Sequence, residues 1–288
     1  MAGQNILYRQ WLWQCGFFWR QIKLLKKKPD SEALHDARVS VKKIRSYLLA
    51  ARLITETKGL EKSLPETLHL FRIMGKHRDI EISLELITKL KKNKVASPEF
   101  ERHLHTALSD AAEWMQVALT RYNGSEFRLA KTKMRKQIAS LDEEQVAEQL
   151  RRIIILKLDR VNNLVKDFNT WFHEIRKRLK EVYYWEKLYP GGLVLAAAQT
   201  KQLNTILDKL GNLQDHAMLL EKLRSYRKLY LPRKTTMYAE AKKSEQVVKK
   251  VIDKTLSELP ASVRNLLESV KNKDQQKDPL IFSAPGGS

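Results

Sequence analysis

Apolar residues recur along most of this chain at the three- and four-residue spacing of an amphipathic helix, and the alternation typical of a β-strand is nowhere sustained. Glycine and proline, which interrupt helices, account for only 10 and 8 of the 288 residues. The pattern therefore predicts an all-α protein. Its predicted helices span residues 4–28, 31–55, 59–74, 78–93, 97–122, 126–139, 142–167, 169–189, 196–210, 214–230, 233–258 and 260–271.

Three short segments predict where helices end. Pro29-Asp30-Ser31 combines a residue that stops a helix with residues that cap a new one. Asn123-Gly124-Ser125 and Pro190-Gly191-Gly192 are turn-forming sequences between apolar periodic segments.

Two interior glycines predict turns between consecutive helices. Gly75 and Gly211 are well placed to end a helix in the left-handed conformation. Asp79 and Asp215 would then open the next helices, where a carboxylate suits free N–H groups and the helix dipole. The alternative is that Asp79 orients a histidine or arginine of a functional site.

The chain also contains an internal repeat. The segment His35-x-x-Arg38-x-x-x-Lys42 recurs as His173-x-x-Arg176-x-x-x-Lys180. The later Met74-Gly75 and Leu210-Gly211 segments recur in the same order and at nearly the same separation. We therefore predict two tandem homologous helical bundles. They span residues 1–122 and 142–260, with a connecting helix in 123–141 and a C-terminal helix and flexible tail in 261–288.

The charge of the chain predicts an anionic partner. There are 54 Lys and Arg against 33 Asp and Glu, for a net charge of +21. Such an excess destabilises a compact chain unless an anion offsets it, and nucleic acid, polyphosphate and an anionic membrane surface all qualify. The single cysteine, Cys15, excludes an intramolecular disulfide and a cysteine-based zinc site. With no signal peptide or spanning segment apparent, we expect a cytoplasmic protein.

The repeated helix carries a strip of cationic side chains. At about 100° per residue, the cations of the first copy fall within roughly 80° of arc, away from the apolar positions. Arginine offers a planar fork of donors to phosphate oxygens, lysine a compact charge and cationic histidine a further donor. Further cations flank the predicted glycine turns and extend the predicted surface. The first basic strip comprises His35, Arg38, Lys42 and Arg45, the second His173, Arg176 and Lys180, and the flanking cations are Arg72, Lys76, Arg78 and Lys209.

The sequence gives little support for metal binding or catalysis. No Cys, His and carboxylate set has metal-ligand spacing, and no nucleophile elbow or phosphate-binding glycine loop occurs. We therefore expect no metal, no cofactor and no catalytic residues. The aromatic residues between Trp11 and Trp19 are expected to pack in the core, with base stacking and lipid contact through Lys26-Lys27-Lys28 as alternatives.

These motifs resemble the CHAD domain, the conserved histidine α-helical domain. The family pattern His-x-x-Arg-Val-x-x-basic-basic-x-Arg matches residues 35–45, including Lys43, and its Leu-Gly-x-x-Arg-Asp pattern matches 74–79 with methionine in place of leucine. The second copy is similar over residues 173–184, including Lys177, and again at 210–215. The resemblance covers essentially the whole chain, so residues 1–288 are expected to form one CHAD domain.

The resemblance implies a fold and a function. Two helical bundles would be related by pseudo-two-fold symmetry, with a basic groove or pore between them. The domain would bind inorganic polyphosphate and associate with polyphosphate granules, and the matching basic residues would contact phosphate. Tyr183 stands where the first strip has Arg45, and Glu181 where it has Lys43, so we expect weaker binding by the second strip.

Three functions stay open at this point. Polyphosphate binding without chemistry is favoured. A nucleic-acid-binding module is compatible with the charge, although no nucleic-acid-binding motif supports it. A phosphohydrolase using His35 or His173 would need a partner carboxylate or metal set that the sequence does not indicate. The oligomeric state is not indicated by any of these features.

Overall fold

The structure is a computed structural model that describes residues 5–92, 98–138 and 141–277. All regular secondary structure in these ranges is helical, which confirms the predicted all-α class. The predicted tail beyond residue 277 lies outside the described residues. The α-helices are α1 (Ile6–Lys27), α2 (Ser31–Thr55), α3 (Pro65–Lys92), α4 (Pro98–Arg121), α5 (Glu126–Ile138), α6 (Glu143–Leu164), α7 (Phe168–Glu186), α8 (Ala197–Tyr230) and α9 (Thr236–Lys277). None of these helices is long and apolar enough to cross a bilayer.

The predicted breaks at Pro29-Asp30-Ser31, Asn123-Gly124-Ser125 and Pro190-Gly191-Gly192 are confirmed. Asp30 caps α2, because its side chain accepts a hydrogen bond of 2.6 Å from the backbone N–H of Ala33. Gly124 precedes α5 with φ +63°, and Gly191 and Gly192 precede α8 with φ +89° and +80°. These left-handed conformations favour glycine over residues that carry a Cβ.

The predicted glycine turns are wrong. α3 runs without interruption through Gly75 and Asp79, and α8 runs through Gly211 and Asp215. The two aspartates therefore lie inside helices and do not open them. A glycine inside a helix costs about 1 kcal/mol, which tertiary packing readily offsets. The predicted break before Pro260 is also wrong, since α9 continues past it.

The chain forms two compact units. Unit 1 is Met1–Val146 with Leu213–Asp253, and unit 2 is Ala147–Asn212 with Lys254–Ser288. These units differ in extent from the tandem repeats, whose limits rest on sequence similarity. The division into repeats, their pseudo-symmetry and the groove between them stay predictions.

The core of unit 1 is built from amphipathic helices. α1 packs along α2, and α3 packs along both α2 and α4. Trp11 and Phe18 are fully buried, as expected for the aromatic residues of α1, but the expectation fails for Trp13, which is exposed. A second apolar cluster contains Ile87, Phe100, Leu223 and Val248 from α3, α4, α8 and α9.

Unit 2 is held together by contacts between its own helices. The ammonium group of Lys157 on α6 donates to Glu181 of α7 at 2.5 Å and lies 5.1 Å from the centre of the buried Trp185 ring. Gln199 donates to Ser269 at 3.2 Å, which joins α8 to α9. The buried carboxylate of Glu186 accepts three backbone N–H groups, from residues 193–195, and so orders the turn before α8.

Candidate functional site

Arg38, the central residue of the first basic strip, lies between α2 and α3. Its side chain is 14% exposed, and Nη2 is 4.0 Å from Asp79 Oδ1. Nη1 donates to the carbonyl oxygen of Phe71 at 3.2 Å, and the guanidinium lies 4.9 Å from the centre of the Phe71 ring. Burial lowers the pKa of Arg38, while Asp79 opposes that effect. A guanidinium nevertheless stays charged at neutral pH, so a fixed cation is held between the two helices.

Gly75 provides the space that Arg38 occupies. A Cβ at this position would lie 2.7 Å from Arg38 Nη1, closer than packed atoms approach one another. In unit 2, a Cβ at Gly211 would lie 3.8 Å from Arg176 Nη2. In each unit, the conserved spacing of the repeat therefore places a helical glycine opposite the arginine of the strip. This close approach, and not a turn, accounts for Gly75, whereas a Cβ at Gly211 would make only ordinary contact with Arg176.

Asp79 is surrounded by cations. Burial raises the pKa of its carboxyl, whereas Arg38, Lys222 and Lys42 each lower it. The charges of three cations therefore act on one carboxylate, and the four groups together carry a positive excess even when Asp79 is ionised. We name the four residues the Asp79 cluster. The structure contradicts the interpretation that Asp79 opens a helix and places its carboxylate beside Arg38, so a role in orienting an arginine of the site stays a prediction.

Lys222 is a member of this cluster that sequence reasoning missed. It lies on the part of α8 that belongs to unit 1, and its ammonium group donates to the backbone oxygen of Asp79 at 2.6 Å and to Ser83 Oγ at 2.8 Å. Burial lowers the pKa of Lys222, and Asp79 opposes that effect. No motif distinguishes this lysine from the other basic residues of the chain, so only the fold identifies it.

Several predicted cations of unit 1 are open to solvent beside the Asp79 cluster. α2 and α3 run antiparallel, because Arg78 reaches Ser31 at the start of α2 while Arg38 reaches Phe71, nearer the start of α3. The predicted cations that are exposed on these two helices are His35 and Arg45 on α2 and Arg72 and Lys76 on α3.

Other predicted contacts in unit 1 are less available to a phosphate. The Nη1 atom of Arg78 lies 3.1 Å from Glu81 and 3.2 Å from Glu85, so two carboxylates neutralise its charge. Lys43 is half-buried, and burial lowers its pKa against the effect of Asp36. The assignment of both residues to phosphate binding stays a prediction, and their surroundings favour a structural role.

One carboxylate pairs with two cations that neighbour the second basic strip in the sequence. Glu174 lies 3.8 Å from Lys177 and 2.8 Å from Arg178. Lys180 is half-buried, with its ammonium group 5.8 Å from the centre of the Tyr184 ring. The predicted phosphate contacts of this unit that are exposed are His173, Lys177 and Lys209. Weaker anion binding by this strip stays a prediction.

Arg176 occupies the position of Arg38 in unit 2. Its side chain is half-buried, and its Nε is buried without a hydrogen-bond partner among the described residues.

Metal and thiol chemistry find little support in the described part of the chain. No group of three or more His, Cys, Asp and Glu side chains there is arranged to hold a metal ion. Cys15 is buried, and burial raises its pKa well above the usual value, which disfavours the reactive thiolate.

Alanine substitution at Gly75 and at Gly211 is expected to change stability differently. We expect Gly211→Ala to raise the free energy of unfolding by about 0.5–1 kcal/mol, because alanine favours helix and its Cβ makes ordinary contact with Arg176. We expect Gly75→Ala to gain less or to lose stability, because the new Cβ must displace the Arg38 guanidinium. Denaturant unfolding of both variants measures the difference, and equal stabilisation would show that Arg38 is not held as described.

The family model described as the CHAD domain matches residues 18–224, which is more than half of the chain. The matched segment includes both basic strips, the two glycines and Lys222. A search of the curated proteins found no match to this chain.

Proposed function

Because the chain belongs to the CHAD domain family, we propose that it binds inorganic polyphosphate through its basic strips without acting on it chemically. The observation that carries this proposal is the positive excess of the Asp79 cluster, which includes residues of the two helices that also carry the exposed Arg45, Arg72 and Lys76. Association with polyphosphate granules and a cytoplasmic location belong to the same proposal.

The physical basis of binding is a row of cations meeting a row of phosphates. Arg38 is held in place by Phe71 and Asp79, so its charge is positioned before the ligand arrives. The cations on α2 and α3 whose side chains are exposed to solvent can contact a flexible anion. Each cation of the protein that contacts a phosphate releases a counterion condensed on the polyanion, so the affinity depends steeply on salt.

The proposal is tested by measuring affinity for long-chain polyphosphate over a salt series, with single-stranded RNA as competitor at equal phosphate concentration. We expect the logarithm of the affinity to fall linearly with the logarithm of the salt concentration. We also expect RNA to displace polyphosphate poorly, and recovered polyphosphate to keep its chain length in the presence of divalent metal. Displacement by RNA at comparable concentration would instead indicate a nucleic-acid-binding module.

A catalytic role is separated from binding in the same experiment. Shortening of polyphosphate that His35→Ala abolishes would indicate a phosphohydrolase and contradict the proposal. His35 is the informative position because it is an exposed histidine on the first basic strip.

A further inference from the structure

The outward face of α1 combines aromatic, aliphatic and cationic side chains that the core does not use. Trp13 is 55% exposed and Leu24 is 51% exposed. The ring of Trp13 stacks on that of Phe17 with centres 5.5 Å apart and planes inclined by 12°. The guanidinium of Arg20 lies 5.4 Å from the centre of the Phe17 ring, so the three side chains form a continuous stack.

These residues form one stripe along the helix. Positions 13, 17, 20, 24 and 27 follow the three- and four-residue spacing of a helix and fall within about 80° of arc. We name them the α1 outer stripe, which comprises Trp13, Phe17, Arg20, Leu24 and Lys27. Trp11 and Phe18, on the opposite face, are fully buried in unit 1. The helix therefore has two distinct apolar faces, and packing within unit 1 accounts for only one of them.

The charge of this helix has a single sign. α1 contains no aspartate or glutamate between Ile6 and Lys27. Arg9 forms an exposed ion pair of 3.9 Å with Glu143, and Lys26 donates to the backbone oxygen of Tyr122 at 2.8 Å. The cations on and beside the α1 outer stripe, Arg20, Lys23 and Lys27, are exposed.

We propose that the α1 outer stripe binds the surface of an anionic lipid bilayer, with α1 lying in the plane of the interface. Tryptophan and leucine on such a helix enter the boundary between headgroups and acyl chains, while arginine and lysine contact the headgroup phosphates. This binding surface is separate from the Asp79 cluster and does not depend on polyphosphate binding.

The geometry favours lipid over nucleic acid. Trp13 covers one face of the Phe17 ring, and the guanidinium of Arg20 also lies close to this ring. A base therefore cannot insert within the stack. Leu24 adds aliphatic surface, which bases do not stack on but acyl chains do contact. The mixture of exposed apolar and cationic groups therefore complements a bilayer interface.

The test compares two double variants that leave the net charge unchanged. Trp13→Ser with Leu24→Gln removes the apolar part of the stripe. Trp114→Ser with Leu229→Gln is the matched control, because these side chains are 72% and 75% exposed elsewhere on the protein. Partitioning onto phosphatidylcholine vesicles that contain phosphatidylglycerol is measured by co-sedimentation at low and high salt. We expect the stripe variant to bind about tenfold more weakly at high salt, where apolar contact dominates, and the control to bind like the wild-type protein.

Three results would overturn the proposal. Equal losses in the two variants would indicate general surface stickiness. Wild-type binding that disappears at high salt would indicate charge attraction alone. A change of oligomeric state in the stripe variant, measured by light scattering without lipid, would assign the stripe to contact between copies of the chain. Thermal unfolding verifies that the variants fold, and Leu24→Gln alone provides a milder test if the double variant does not.

Discussion

Reversing the charge of Arg45 and Arg72 together is expected to weaken polyphosphate binding about 100-fold at low salt. Both side chains are exposed, one on each of the two helices that flank Arg38. Each reversal removes one charge-assisted contact of about 1.5 kcal/mol, and two such losses amount to about 3 kcal/mol. The slope of log affinity against log salt should also become shallower by about 1.4, since two phosphate contacts are lost from a single-stranded polyanion.

A matched charge reversal distinguishes a site from a diffuse charge effect. Arg264 and Lys271 are exposed on α9 and are not among the predicted phosphate contacts. The Arg264→Glu and Lys271→Glu double variant changes the net charge by the same amount as the test variant. Isothermal calorimetry at several salt concentrations measures both. If the control loses as much affinity as the test variant, polyphosphate is held by overall charge and the proposed site is wrong.

Replacing Arg38 by methionine is expected to lower both stability and polyphosphate affinity. The change removes the hydrogen bond to Phe71 and leaves Asp79 half-buried with less opposite charge beside it. Breaking a fully buried ion pair costs about 3–5 kcal/mol, and the partial exposure of Asp79 reduces the expected loss to about 1–3 kcal/mol. Denaturant unfolding measures this loss.

The stability deficit of Arg38→Met should depend on pH. Burial already raises the pKa of Asp79, and loss of Arg38 raises it further. A carboxyl whose pKa is higher in the folded than in the unfolded protein binds more protons when folded, so its contribution to stability falls as pH rises. The deficit should therefore be largest at neutral pH and shrink as pH falls through the raised pKa of Asp79.

A second substitution isolates the role of Asp79. The amide of Asp79→Asn has nearly the same shape as the carboxyl but cannot ionise. Combined with Arg38→Met, it should restore part of the lost stability at neutral pH and abolish the pH dependence of the deficit. Additive losses in the double variant would show that Arg38 and Asp79 do not interact.

The helical periods and the basic strips were predictable because they depend on residues close together in the sequence. His35 to Arg45 lie on one helix, so their spacing alone places them on one face. The prediction that Gly75 ends a helix is wrong, and the reason is also physical. A glycine that ends a helix and a glycine that makes room for an arginine look alike in the sequence, and only the position of Arg38 distinguishes them.

The sequence by itself determined the all-helical class, the CHAD family, the internal repeat and the cationic strips, because each follows from local periodicity, composition or motif. The tertiary structure decided which charged side chains lie close together. Lys222 reaches Asp79 across 143 positions of the chain, and Arg78 is neutralised by its neighbours while Arg72 stays exposed. It also decided that Trp13 faces solvent while Trp11 fills the core. Such outcomes depend on how helices pack against one another, since packing sets the burial and the charge environment of each side chain.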